Sequence, residues 1–215
     1  ERKWDSLPHE LFIGAESQAE ARIRSLWDND SIYFRFEVKD RQLNLSDNMH
    51  ETDGVEVFIS TVEPTSARKY NQYRLRVDAK GRVEKQYGSG ARWIADDAVN
   101  TCRDVETGAD GYTIVVAVPW QEIGGKPAGE ELYCCYQLHN TDKTGGKTAT
   151  VDETLSGSDI DDATTWMRMP LEKSPDTGTG IESVTVQEKE NGDLRTDNIM
   201  GQELDEHAKG IMISK

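Results

Sequence analysis

Glu56 stands in an unusual place for a carboxylate. It lies in "NMHETDGVEVFIS" (48–60), a run otherwise rich in strand-forming apolar residues. Val55, Val57 and Ile59 share one side-chain parity, and Glu56 and Phe58 share the other. A carboxylate there faces a charged core partner, bulk water or a ligand. Two further runs carry polar side chains the same way. "YNQYRLRVD" (70–78) sets Arg74 and Arg76 opposite Tyr73, Leu75 and Val77, and "LYCCYQLHN" (132–140) sets Cys135, Gln137 and His139 opposite Cys134, Tyr136 and Leu138.

Other chemistry-bearing residues are less sharply placed. Acidic clusters at Asp28/Asp30, Asp96/Asp97 and Asp159/Asp161/Asp162 suggest calcium, which takes oxygens from close carboxylates and carbonyls. The i, i+2, i+3 spacing of Asp159, Asp161 and Asp162 is the best of these candidate calcium sites, although no twelve-residue EF-hand loop is present. The competing reading is a solvated acidic loop. Cys102, Cys134 and Cys135 are an odd set and do not form a disulfide framework. Adjacent Cys134 and Cys135 point to opposite faces of a strand, which leaves either one bridge from Cys102 or buried free thiols. No G-x-S-x-G, H-E-x-x-H or phosphate loop occurs, so the sequence reads as non-catalytic.

The elements that must position these groups are strands. "SIYFRFEV" (31–38) alternates, with Ile32, Phe34, Phe36 and Val38 inward and Tyr33, Arg35 and Glu37 outward. "YTIVVAV" (112–118) is apolar on both faces, as a central strand requires. Turn signals fall between the runs at "DND", "AKG", "GADG", "GGKPAG" and "DKTGG". Short strands between turns predict an all-β fold, a two-sheet antiparallel β-sandwich of immunoglobulin or jelly-roll kind, over 1–171. "EKSPDTGTG" (172–180) reads as a linker, and 181–215 as a small C-terminal β appendage or tail with too little apolar surface for its own core.

A formal net charge of −15 argues against nucleic acid and anionic polysaccharide as partners. No apolar run is long enough to span a bilayer as a helix, so no transmembrane segment is expected. The start, "ERKWDSLPHE", has no apolar signal core and reads as a chain whose leader has been removed or as an excised fragment.

Four pieces in order, "ARIRSLWDNDSIYFRFEVKD" (21–40), "ETDGVEVFIS" (51–60), "YTIVVAVPWQEIG" (112–124) and "CYQLHNTD" (135–142), resemble the family 9 carbohydrate-binding modules often attached to xylanases. The resemblance covers roughly residues 4–171. It implies a non-catalytic sugar-binding sandwich that targets an attached catalytic domain of a glycan-degrading enzyme to plant cell-wall polysaccharide of xylan or cellulose type. By position, Glu56 falls on a sugar-contacting glutamate of the family, Arg74 on its arginine and Gln137 on its amide. Arg76 stands where Asn is usual, and His50 stands where a stacking Trp is usual. The resemblance therefore implies carbohydrate binding by Glu56, Arg74 and Gln137, flanked by Arg76 and His139, with Trp93 or His50 covering the apolar face of the sugar. If the strands are neighbours, these polar side chains converge on one face and supply the alternating donors and acceptors that vicinal hydroxyls need. Trp27, Trp120, Trp166 and Trp4 read as packing aromatics. "NIMGQEL…KGIMISK" resembles the C-terminal secretion or sorting tails of some bacterial glycan-degrading proteins, implying a secreted or cell-surface location.

Two other classes compete. One is a structural or interaction sandwich without sugar binding. The other is a haem b-binding domain of the same superfamily, with Met49 or His50 as one axial ligand and His139 as the other.

Overall fold

Alternation of apolar and polar residues becomes two facing antiparallel sheets. The computed structural model describes residues 4, 7, 9–15, 18–97, 101–144, 147–171, 184–190, 193–197, 211 and 212. Strands β1 (Leu11–Gly14), β2 (Ala19–Trp27), β3 (Ser31–Asp40), β8 (Cys102–Gly108) and β9 (Gly111–Pro119) form sheet A in the order β1-β2-β3-β9-β8. Strands β4 (Gly54–Ser60), β5 (Lys69–Asp78), β6 (Val83–Gly90), β7 (Arg92–Ala95), β10 (Glu131–Thr144) and β11 (Lys147–Thr154) form sheet B in the order β11-β10-β4-β5-β6-β7. The short β12 (Met167–Pro170) pairs with the first half of β10.

The core lies between the sheets. Phe34 and Phe36 of β3 meet Tyr136 of β10 edge-on, with ring centroids 6.0 and 6.1 Å apart. Such aromatic pairs add about 0.5–1.5 kcal/mol beyond area burial. Val55, Val57, Ile59, Leu75, Val77, Cys134 and Leu138 complete the inner face of sheet B. Trp27, Trp120 and Trp166 are buried, as the sequence predicts for packing aromatics. Cys134 and Cys135 are free, buried and on opposite faces, one in the main core and the other under Trp166. Burial pushes their thiols up to about 12 and about 11.

Two differences from the sequence reading have physical causes. Tyr33, expected outward, is buried in a second apolar cluster with Trp4, Leu26, Val115 and Ala117 on the outer face of sheet A. Trp4 and Leu7 cover that face, which alternation within β3 cannot reveal. Arg35 and Glu37 do point outward, but they pair with each other at 3.0 Å. Strands β6, β8 and β11 carry weak β signals ("VEKQYGSG", "CRDVETG", "KTATVDET") and are held by ladders to stronger neighbours, and the edge strand β7 ("RWIA") pairs with β6.

Beyond the sandwich, β13 (Val184–Glu190) pairs antiparallel with β14 (Asp193–Asp197) and parallel with β15 (Ile211–Met212) in a small separate sheet. The expected linker at 172–180, the resemblance to a sorting tail apart from Ile211 and Met212, and any bridge from the Cys102 side chain lie outside the described residues.

Candidate functional site

The polar parity of β4, β5 and β10 forms one row on the outer face of sheet B. Glu56 sits directly between Gln137 of β10 and Arg76 of β5. Register adds Glu84 beside Arg76, Gln86 beside Arg74, Thr154 beside Gln137 and Asp152 beside His139. Gly54 starts β4 where a Cβ would lie 2.7 Å from Val77 O, so glycine lets β4 approach β5 here.

The row is a connected network. Arg74 Nε donates to Glu56 Oε1 at 2.6 Å, and Arg74 Nη1 donates to Gln86 Oε1 at 3.4 Å. His139 lies between two carboxylates, with Nε2 3.3 Å from Glu56 Oε2 and Nδ1 2.5 Å from Asp152 Oδ1. Gln137 Nε2 donates to Thr154 Oγ1 at 3.0 Å. Arg76 Nη2 donates to the carbonyls of Met49 and Thr52, while its buried Nε has no hydrogen-bond partner among the described residues. Burial by itself would raise the Glu56 carboxyl; His139 and Arg74 outweigh it and hold the group below the usual carboxylate range. Burial lowers the Arg76 guanidinium from its ordinary value.

One end of the row is aromatic. Phe58, one parity step from Glu56, lies 5.9 Å from both Trp93 and Trp166 in ring-centroid distance, and the Arg74 guanidinium sits 5.6 Å above the Phe58 ring. Trp93 is half-buried on β7, with Lys69 Nζ 5.8 Å from its ring. At the other end, the turn Met49–Glu51 carries an exposed His50 whose Nε2 is 3.6 Å from Glu84 Oε2. Arg76 and Arg82 tether that turn through the backbone of residues 46–52 and Thr52 Oγ1.

Glu56, Arg74, Arg76, Gln137 and His139 therefore lie on one face, but the face is less open than expected. Glu56, Arg76, Gln137 and His139 are buried; Arg74 is half-buried, and Asp152 keeps half its side chain exposed. Trp93 packs against Phe58 at an interplanar angle of 56° rather than standing free, and His50 faces Glu84 of β6. Both ring nitrogens of His139 are engaged by carboxylates, which leaves none for the iron of a haem. Asp159, Asp161 and Asp162 do not converge on a cation position. Asp159 Oδ1 accepts from Asp161 N, Asp162 Oδ1 caps Thr164 N, and Asp161 Oδ1 pairs with Lys69 Nζ at 3.1 Å. Among the described residues no group of three or more His, Cys, Asp or Glu is arranged to hold a metal.

Sequence reasoning missed Asp152, Thr154, Gln86 and Glu84. The signal for Asp152 was present: Gly145 and Gly146 separate Thr144 from its partner Lys147, and counting back from that hairpin sets Asp152 opposite His139.

Comparison with known proteins bears on the fold and the family. A stretch of 117 residues is 32% identical to endo-1,4-beta-xylanase A of Thermotoga neapolitana, covering 52% of this chain and 10% of the relative. The chain thus spans about a tenth of that protein's length. Two structures of a carbohydrate binding module family 9 from Caldicellulosiruptor kristjanssonii, in complex with glucose and with cellotriose, share the fold with TM-scores of 0.64 and 0.63 at 16% identity, each over 82% of this chain and 90% and 88% of theirs. Residues 4–174 match the carbohydrate family 9 binding domain-like family, and the chain belongs to that family.

Proposed function

We propose that this module binds neutral plant cell-wall saccharides of xylan or cellulose type on the outer face of sheet B and holds an attached glycan-degrading enzyme at its substrate. Glu56, Arg74 and Gln137 hydrogen-bond the sugar, with Arg76 and His139 beside them. Trp93 or His50 lies against its apolar face. The observation that carries the reading is the single row Arg74–Glu56–His139–Asp152, in which side-chain nitrogens and carboxylate oxygens alternate next to the aromatic group Phe58–Trp93. Arg76 Nε, with no hydrogen-bond partner among the described residues, adds a donor beside that row. Sugar-complexed family neighbours and a xylanase relative support the ligand class. The family's attachment to such enzymes supports a secreted or surface-associated bacterial setting. No bond is made or broken; tethering raises the local concentration of the attached enzyme at the polymer.

A sandwich that only spaces domains is favoured by one observation, the near-complete burial of Glu56 and His139. Titration calorimetry with xylo- and cello-oligosaccharides separates the two readings. Saturable heat that is lost on Arg74→Ala supports sugar binding at this face. Heats equal to dilution for both series refute it.

A further inference from the structure

We propose that the open end of the cleft between the sheets is a second saccharide site, distinct from the outer face of sheet B. On β5, β6 and β7 the inner parity continues past the core as Tyr73, Tyr87 and Ile94, direct cross-strand neighbours. Tyr73 is half-buried, whereas Tyr87 and Ile94 are 41% and 37% exposed, so sheet A no longer covers this end of the row. The two tyrosines line a groove of about 840 Å³, whose opposite wall is Pro119 and the turn Trp120–Ile123. That is the size range of small-molecule sites.

The lining chemistry selects the ligand. Lys85 Nζ lies 2.8 Å from Glu122 Oε2 and 3.1 Å from Asp96 Oδ2. Two carboxylates against one ammonium repel an anion, and a cation would have to displace Lys85. A neutral ligand rich in hydroxyls meets neither obstacle, and it can both donate to the carboxylates and accept from amides. Gln121, also lining the groove, is exposed and supplies such an amide. A bulge between Tyr70 and Tyr73 places Asn71 at φ 59°, a conformation that side chains other than glycine adopt when the surrounding structure holds them there. The exposed Tyr87 ring supplies the flat apolar surface that the C–H face of a pyranose covers.

The test is an amide-shift titration of the ¹⁵N-labelled full chain with cellohexaose and with xylohexaose. The expected result is that amides of Tyr73, Lys85, Tyr87 and Glu122 shift saturably, and still do so in Arg74→Ala. Tyr87→Ala should weaken the response at the remaining groove amides about tenfold, the effect of losing one stacking partner. The same variant should leave the titration of Arg74, Gln137 and His139 amides unchanged. Because Tyr87 is exposed, its substitution spares the core, and an unchanged melting curve verifies that. If outer-face amides respond and groove amides stay silent with both hexaoses, the second site is overturned while the first reading stands. Groove shifts indifferent to Tyr87→Ala also overturn it. Groove shifts with a silent outer face uphold this site and remove the other.

Discussion

Glu56→Gln separates a charge-dependent binding site from a shape-dependent core. The substitution keeps side-chain volume and removes one charge from the centre of the network. In the parent, Arg74 Nε donates to the carboxylate at 2.6 Å and His139 Nε2 stands 3.3 Å from its other oxygen, while the Glu56 side chain is 1% exposed and that of Arg74 26% exposed. Breaking a fully buried pair costs about 3–5 kcal/mol. Water can reach Arg74 in part, so the expected loss falls below that range, at about 2–3 kcal/mol. For a domain of this size that lowers the melting temperature by roughly 5–10 °C. A hydrogen bond from a ligand hydroxyl to a charged acceptor contributes about 1.5–3 kcal/mol, so affinity for cellotriose or xylotriose should fall roughly tenfold to a hundredfold. Calorimetric titration at pH 7 reads the affinity, and a thermal melt reads the stability. A variant that melts lower yet binds within about twofold of the parent would refute Glu56 as a sugar contact and leave it a structural ion-pair partner. A variant that melts unchanged would refute the network itself.

Further outcomes follow from neighbouring groups. Phe58→Ala, at a position with no exposed surface between Trp93 and Trp166, should cost about 3–5 kcal/mol in denaturant unfolding; a loss under about 1 kcal/mol would show that the outer cluster is not packed as described. Asp162→Ala removes the cap on Thr164 N and should cost about 1 kcal/mol, without rescue by added calcium. Calcium-dependent recovery would restore the cation reading of that loop. Burial first of all raises the Asp28 carboxyl to about 6 despite its bonds from Ser31 and Asp30. An acid raised in the folded state gives stability that is full below its unfolded value near 4 and is lost as pH rises through about 6. Asp28→Asn should therefore flatten the decline in melting temperature between pH 4 and 7, and an unchanged profile would count against the shift. Cys134 and Cys135 should resist thiol reagents at pH 8 until the chain unfolds, since burial raises both thiols; labelling of the native protein at the rate of an exposed thiol would contradict that.

Alternation along β3, β4, β5 and β10, with the all-apolar run of β9 between turns, was enough to read a two-sheet antiparallel sandwich, because period-two patterning survives in the sequence wherever a strand buries one apolar face. The same parity placed Glu56, Arg74, Arg76, Gln137 and His139 on a common face once the strands were neighbours. That step needed the pairing order β10-β4-β5, which local pattern does not encode. Tertiary structure alone decided which charges meet. Asp152 reaches His139 through hairpin register, and Phe58 reaches Trp93 and Trp166 from separate parts of the chain. It also decided exposure. Tyr33 is covered by Trp4, and Tyr87 is left open where sheet B continues beyond its partner. A sequence fixes the face of a strand on which a side chain lies, because parity is local. Whether that face meets water, a second layer or a ligand depends on chain segments far away, and only the assembled sheets bring those together.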